Sequence, residues 1–336
     1  MEEQNKTENN AEQHAAQKKE DHKPEHKKDP KKPIRQHLFE IYDKKYRLLL
    51  IIPMLILLLA LAQIGYQVYK TGDFLNRDVS LKGGITLTIP YQGNVDIKQL
   101  EAQIKNDFPA NEIIIRTLRS AGTVNGVIVE ADIEGTEKAQ VDKLTGSIEK
   151  SLKIDLSTVD YGLEIIGSSL GASFFKESLI ALAVAFLFMG LVVLIYFRTF
   201  IPSVAIILAA FSDMAVALAV INLMDVRIGT AGVAAFLMLI GYSVDTDILL
   251  TVRALKREEG SVMDRIISSL KTGITETMTA IVAVTVAMIV TKSEVIRQIM
   301  LILLIGLIAD IFMTWIQNVG LLRIYIERKA KKGIII

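Results

Sequence analysis

The chain has 336 residues, 51% of them hydrophobic, with 38 basic against 37 acidic side chains for a formal net charge of +1. Apolar and charged residues must therefore be segregated along it, and so small a net charge gives no argument for a nucleic acid partner, since phosphate neutralisation needs a concentrated basic surface. Cysteine is absent and all four histidines (His14, His22, His26, His37) precede the first apolar run, which excludes disulfide stapling and leaves thiol, imidazole and zinc chemistry without ligands in the apolar part; no cofactor and no metal is expected.

Residues 1–33 contain no Leu, Ile, Val, Phe, Trp or Tyr, and their eight lysines are matched by eight acids. No apolar surface is available there to offset chain entropy, so residues 1–46 read as a disordered, solvated tail. The first apolar run, Leu48 to Ile64, follows Lys44, Lys45 and Arg47 and has no clear cleavage signature, so it reads as a retained anchor, transmembrane helix 1 over 47–69. Pro53 lies in its first turns, where a missing donor is tolerated.

From 70 to 170 the pattern turns polar and mixed. Strand-like stretches at 84–89, 112–118, 126–133 and 159–166 alternate with amphipathic helices at 96–108 (Ile97, Leu100, Ile104, Phe108 on one face) and 136–152 (Val141, Leu144, Ile148, Leu152). Read in order this is β-α-β-β-α-β, the ferredoxin-like arrangement. Five further apolar runs occupy 171–325: Ser178 to Phe197, Ile201 to Leu223, Ile228 to Val252, Ile274 to Val290, and Ile299 to Leu322. The connections are short except for a basic stretch from Arg253 to Lys271. Arg198, that stretch and Arg323 to Lys332 alternate with poorer loops holding Arg227, or Lys292 and Arg297. By the positive-inside rule both termini, including the tail 326–336, are cytoplasmic and the 70–170 domain is outside. The expected fold class is a polytopic α-helical membrane protein of six transmembrane helices with an extracytoplasmic ferredoxin-like α+β domain.

Acids within apolar helices carry the functional signal, because each costs about 2.5 to 3.5 kcal/mol at mid-bilayer and faces protein or water. They are Asp213, Asp245, Asp247, Glu276 and Asp310. Asp245 and Asp247 stand about 200° apart around their helix and cannot share a cavity. The expectation is that Asp213 and Asp245 face the bundle interior or a partner and form an ion relay, with Asp247 pointing elsewhere. Asp310 is central in its helix, and Glu276 is expected near a cytoplasmic helix end. The alternative is that each acid makes an interhelical hydrogen bond that fixes packing. Gly229, Gly232 and Gly241 are expected to allow close helix approach, and Thr275, Thr277, Thr279 and Thr285 to bond their own backbone.

The stretch Ile240-Gly-Tyr-Ser-Val-Asp-Thr-Asp-Ile-Leu-Leu-Thr-Val-Arg253 resembles the fourth-helix motif of the SecD/SecF protein-export family, with Asp245 on the SecD aspartate and Arg253 on the arginine closing both motifs. Lys82-Gly83-Gly84 is similar to the Gly-Gly motif that opens the external domain, with Ser80 where Asp is usual. Asp213 resembles the third-helix aspartate, preceded here by Ser212, and Lys271-Thr272 stands where bacterial members have Arg-Thr. The single external domain favours the SecF branch, of an archaeal type. The resemblance implies a non-enzymatic accessory subunit related to RND transporters. Its implied partners are SecD, a SecY-type translocon channel, an unfolded exported polypeptide and membrane lipid, and its driving force is the proton or sodium gradient. An RND-type small-molecule or lipid exporter, a passive assembly factor and an intramembrane aspartyl protease are the rivals. The protease requires Gly before its second aspartate, where this chain has Val244.

Overall fold

The computed structural model describes residues 42–43, 45–92, 96–120, 123–133, 138–256, 260–291 and 293–332. The histidines, most of the expected tail, Arg257 and Lys292 lie outside the described residues. The chain divides into two units, Met1–Lys45 and Tyr46–Ile336, and the helices and strands of the fold lie in the second.

A helical turn, Tyr46–Leu49, leads into α1 (Ile51–Thr71). The extramembrane domain follows as α2 (Val79–Lys82), β1 (Gly84–Pro90), α3 (Ile97–Asp107), β2 (Ile113–Ser120), β3 (Thr123–Ala131), α4 (Lys138–Leu152) and β4 (Gly162–Ile166). The sheet order is β2-β3-β1-β4, with every neighbouring pair antiparallel. Each helix thus connects two strands that flank a third, the double split crossover of the ferredoxin-like fold. Period-two alternation sets the register: Ile85, Leu87 and Ile89 of β1 sit opposite Ala131, Val129 and Val127 of β3. These residues, with Ile113 and Ile115, form one buried core against Leu100 and Ile104 of α3 and Leu144 and Ile148 of α4.

Five long helices complete the chain: α5 (Ser168–Phe197), α6 (Phe200–Leu223), α7 (Thr230–Lys256), α8 (Val262–Val290), and α9 (Glu294–Phe312) running on through a π-helical segment, Met313–Asn318, into α10 (Val319–Lys331). With α1 they supply six helices long and apolar enough to cross a membrane. Of these α6 and α7 are the most enclosed, and α6 packs against α1, α5, α7 and α9.

The stretch Arg253 to Lys271 is mostly helical rather than an open connection. Ser261 caps α8 by accepting from the Asp264 amide, and the Asp264 carboxylate accepts in return from the Ser261 amide. This capping box satisfies two otherwise orphaned donors and starts the helix at Val262. Glu276 consequently sits midway along α8 and exposed, not near a helix end.

Candidate functional site

Three helices meet around buried acids in the interior of the bundle. Asp213 of α6, Asp247 of α7 and Asp310 of α9 are at most 1% exposed. Ser243 Oγ donates to Asp213 Oδ2 at 2.5 Å. Thr314 Oγ1 lies 2.9 Å from Asp247 Oδ1 and 2.8 Å from Asp310 Oδ1, joining α7 to the end of α9. Asn318 Nδ2 donates to Asp247 Oδ1 at 2.7 Å, and Gln317 Nε2 donates to Ser212 Oγ at 3.1 Å.

The π-helical segment makes this possible. A wider turn, bonded i to i+5, changes the phase of the helix, and Thr314, Gln317 and Asn318 all end up fully buried. Among the described residues no ion pair involves the three acids. Asp213 Oδ1, Asp247 Oδ2, Asn318 Oδ1 and Thr251 Oγ1 are buried without a protein hydrogen-bond partner. Unsatisfied acceptors cost free energy in a low dielectric, and a proton, a water or a cation could each satisfy them.

The arrangement corrects the expected pairing. Asp247, not Asp245, joins Asp213 inside, and Asp245 faces outward. The angular separation of the two is as expected. The phase of α7 is set by Leu239, Ile240, Ser243, Asp247, Leu250, Thr251 and Ala254, which are all buried and recur at helical spacing, so Asp247 lies on the inward face. Gly241 shares the outward face with Tyr242 and Asp245, and among the described residues it makes no helix contact, with nothing within 4 Å of where its side chain would begin. Gly232 does, against Ile228 and Ile302. Arg253 donates to the Ser268 carbonyl at 3.1 Å and to Thr272 Oγ1 at 2.8 Å, tying α7 to α8 away from the acids. On α8, Lys271, Thr272, Thr275, Glu276 and Thr279 line an open concavity. Thr275, Thr279 and Thr285 bond the carbonyl one turn back, as expected of hydroxyls in an apolar helix.

Above the acids, the α6–α7 loop is fastened to the domain. The Ile228 amide donates to the Asn76 carbonyl at 2.7 Å and the Asp78 amide donates to the Ile228 carbonyl at 3.1 Å, a short parallel bridge. Arg227 pairs with Glu112 at 2.6 Å and Lys82 with the same carboxylate at 3.2 Å. Burial alone would raise the Glu112 carboxyl, but the charges of Arg227 and Lys82 outweigh it and hold it below its ordinary value. Inside the sheet, burial pushes the Glu130 carboxyl up, with Arg116 beside it offsetting only part. Gly229 belongs to this fastening rather than to helix packing, since any side chain there would strike the Asp78 carboxylate and Ser80. Gly83 (φ +89°) and Gly84 (φ +135°) take a backbone that L side chains rarely adopt, and Gly83 lies against the backbone of Ser168 and Gly171 at the start of α5.

The family described as "Protein export membrane protein SecD/SecF, C-terminal" matches residues 147–328. The chain is 34% identical over 296 residues to the protein-export membrane protein SecF of Methanocaldococcus jannaschii, covering 86% of this chain and 99% of that one. It is 32% identical over 300 residues to SecF of Pyrococcus furiosus, covering 89% and 97%. Its fold is similar to that of SecDF of Thermus thermophilus, described as a translocon-associated membrane protein, with a TM-score of 0.69 at 20% identity; 84% of this chain is covered and it spans 38% of the length of that one. The relatives are named for export and not for catalysis.

Proposed function

Because this chain belongs to the SecD/SecF family of protein-export membrane proteins, we propose that it is the SecF-type subunit that pairs with a SecD chain and uses the ion gradient to promote translocation of unfolded polypeptide through a SecY-type channel. The observation that carries this reading is the buried trio Asp213, Asp247 and Asp310, whose acceptor oxygens the protein leaves partly unsatisfied. A carboxylate at bilayer depth needs a proton, a cation or a basic partner. With no basic partner among the described residues, the exchangeable species is a proton or a small cation. Its arrival and departure alter the charge on which α6, α7 and α9 converge.

Motion of those helices reaches the domain through the α6–α7 loop, where Arg227 and Ile228 hold Glu112 and residues 76–78. The placement of lysine and arginine supports an orientation with both termini and the Arg253–Lys271 stretch cytoplasmic, and the domain outside. In this reading Asp245 serves the relay from the partner side. Its outward face, with Gly241 and Tyr242 beside it, and the exposed Glu276 carboxyl midway along α8 are costly against lipid and suit a second membrane subunit.

The test is reconstitution of the chain with its SecD partner and a translocon channel in sealed vesicles. Asp213→Asn is expected to leave assembly with SecD intact and to abolish the increase in export that an imposed gradient produces. Export by that variant at the wild-type rate under a gradient would make the trio a packing device and leave a passive assembly factor as the better reading.

A further inference from the structure

A cavity of about 270 Å³ lies between α1, α5, α6 and α7 in the half of the bundle nearest the domain. Its wall is hydrocarbon and aromatic, including Leu61, Leu182, Met214, Leu218 and Val233, and Ser178 supplies the one hydroxyl side chain. Phe74 and Phe175 stack over it with ring centroids 6.0 Å apart, and the Arg77 guanidinium lies 4.5 Å above the Phe175 ring. The helices α1 and α5 each pack on α6 but are not packed along each other, so the cavity occupies the gap between them. Outside that gap both helices present exposed leucines, Leu58 and Leu59 on α1 and Leu187 on α5.

We propose that this cavity holds one hydrocarbon chain of a bilayer lipid from the leaflet on the domain's side. Left empty, the cavity would forfeit the dispersion contacts of its whole lining, which close-packed interiors do not do at this size. Water is excluded, because a bound water needs two or more polar partners and this wall offers a single hydroxyl. A partner helix is excluded by size, since a helix with its side chains is about 10 Å across. The medium beyond the gap at that depth is lipid chain.

The surroundings also suit an amphiphile. Leu75 lines both this cavity and a polar one of about 490 Å³, whose wall includes Arg77, Lys82 and Arg227 together with Asp73, Glu112 and Asp225. A chain seated among Met214 and Leu218 therefore has its head end separated from that polar cavity by Leu75. With acids and bases interleaved there, the site selects for the chain and not for a net headgroup charge. A seated lipid would hold α1 apart from α5 against the Phe211, Met214, Ala215 and Leu218 face of α6, and would support the Phe74–Leu75 segment that connects α1 to the domain.

The experiment uses the full chain in nanodiscs of phosphatidylcholine and phosphatidylglycerol doped with a phosphatidylcholine carrying a diazirine on its acyl chain. After illumination, cross-links are mapped by mass spectrometry. Peptides containing Phe175–Leu182 and Phe211–Leu218 are expected to be labelled above the outward face around Leu187. Val233→Phe and, separately, Ala215→Leu fill the cavity, and each is expected to abolish the excess while labelling near Leu187 persists. Labelling of cavity peptides no greater than that of Leu187 in the wild-type chain would overturn the proposal. So would an excess that survives both substitutions, or capture of the cavity residues by polypeptide rather than lipid when the SecD partner and channel are present.

Discussion

Replacing Asp247 by Asn separates the buried acid from its outward neighbour Asp245. Asp247 Oδ1 accepts from Thr314 and Asn318 at 2.9 and 2.7 Å, and an Asn carbonyl in the same place can accept both. Hydrogen bonds between membrane helices average about 0.6 kcal/mol each, so even imperfect retention of the two limits the stability cost of Asp247→Asn to about 1 kcal/mol. Asp247→Leu is different. It forfeits both bonds, about 1.2 kcal/mol, and strands the buried Asn318 amide at a further cost of about 1–3 kcal/mol. Asp245→Asn changes an outward residue with no hydrogen bond to the described chain and should leave the stability of the isolated subunit unchanged. The assay is export into sealed vesicles containing SecD and the channel, with the gradient imposed and then collapsed. Asp247→Asn is expected to export at the collapsed-gradient rate under both conditions while melting close to wild type. If Asp247→Asn instead keeps its full response to the gradient and Asp245→Asn loses it, the inward acid is a packing residue and the outward one the conduit.

Gly241→Leu meets open space within the chain, so detergent-solubilised subunit should melt as wild type while copurification of SecD falls; an unchanged SecD yield would remove this face from the interface. Gly229→Val drives a side chain into Asp78 and should cost about 1–3 kcal/mol as overpacking, read as faster hydrogen exchange at residues 226–230 and 76–80 with the sheet core unaffected. Glu112 has its folded pKa held below its unfolded value of about 4.3, so its contribution is present above that pH and is lost as pH falls through the lower folded value. Exchange at 226–230 should therefore be flat from pH 8 to pH 5 after correction for intrinsic rates, and should rise only in more acid solution. Glu112→Gln should raise it at neutral pH by at most about fivefold, the range of a partly exposed ion pair.

The elements were legible because each has a period that the residues express strongly. Apolar runs long enough to cross hydrocarbon gave six helices, and alternation through Ile85, Leu87 and Ile89 between two amphipathic helices led to the observed β-α-β-β-α-β order. The site was half legible. Spacing alone put Asp245 and Asp247 on opposite faces, but which face turns inward depends on the phase of α7, and the family resemblance drew attention to Asp245. The signal that decides is the recurrence of Ser243, Asp247 and Thr251 at one-turn intervals, facing Thr314, Gln317 and Asn318, polar residues within an otherwise apolar run. Those three had a reading available in the cost of burying polar groups in a membrane helix. The π-helical turn that gathers them had none, since no local residue pattern dictates it. The early start of α8 was readable in Ser261 and Asp264, a capping pair three residues apart.

The contact of Gly83 with Ser168 and Gly171 has a mechanical consequence. The chain leads into β1 and comes out of β4 at the same point, where two backbones touch with no side chain between them. The domain is therefore carried on a single stiff stem rather than on two slack tethers. A load applied at its far end is delivered as torque to the first turn of α5 and to the α6–α7 loop fastened beside it, with little travel lost in the connection. Bulk added at position 83 or 171 would pry that stem apart and turn a lever into a hinge.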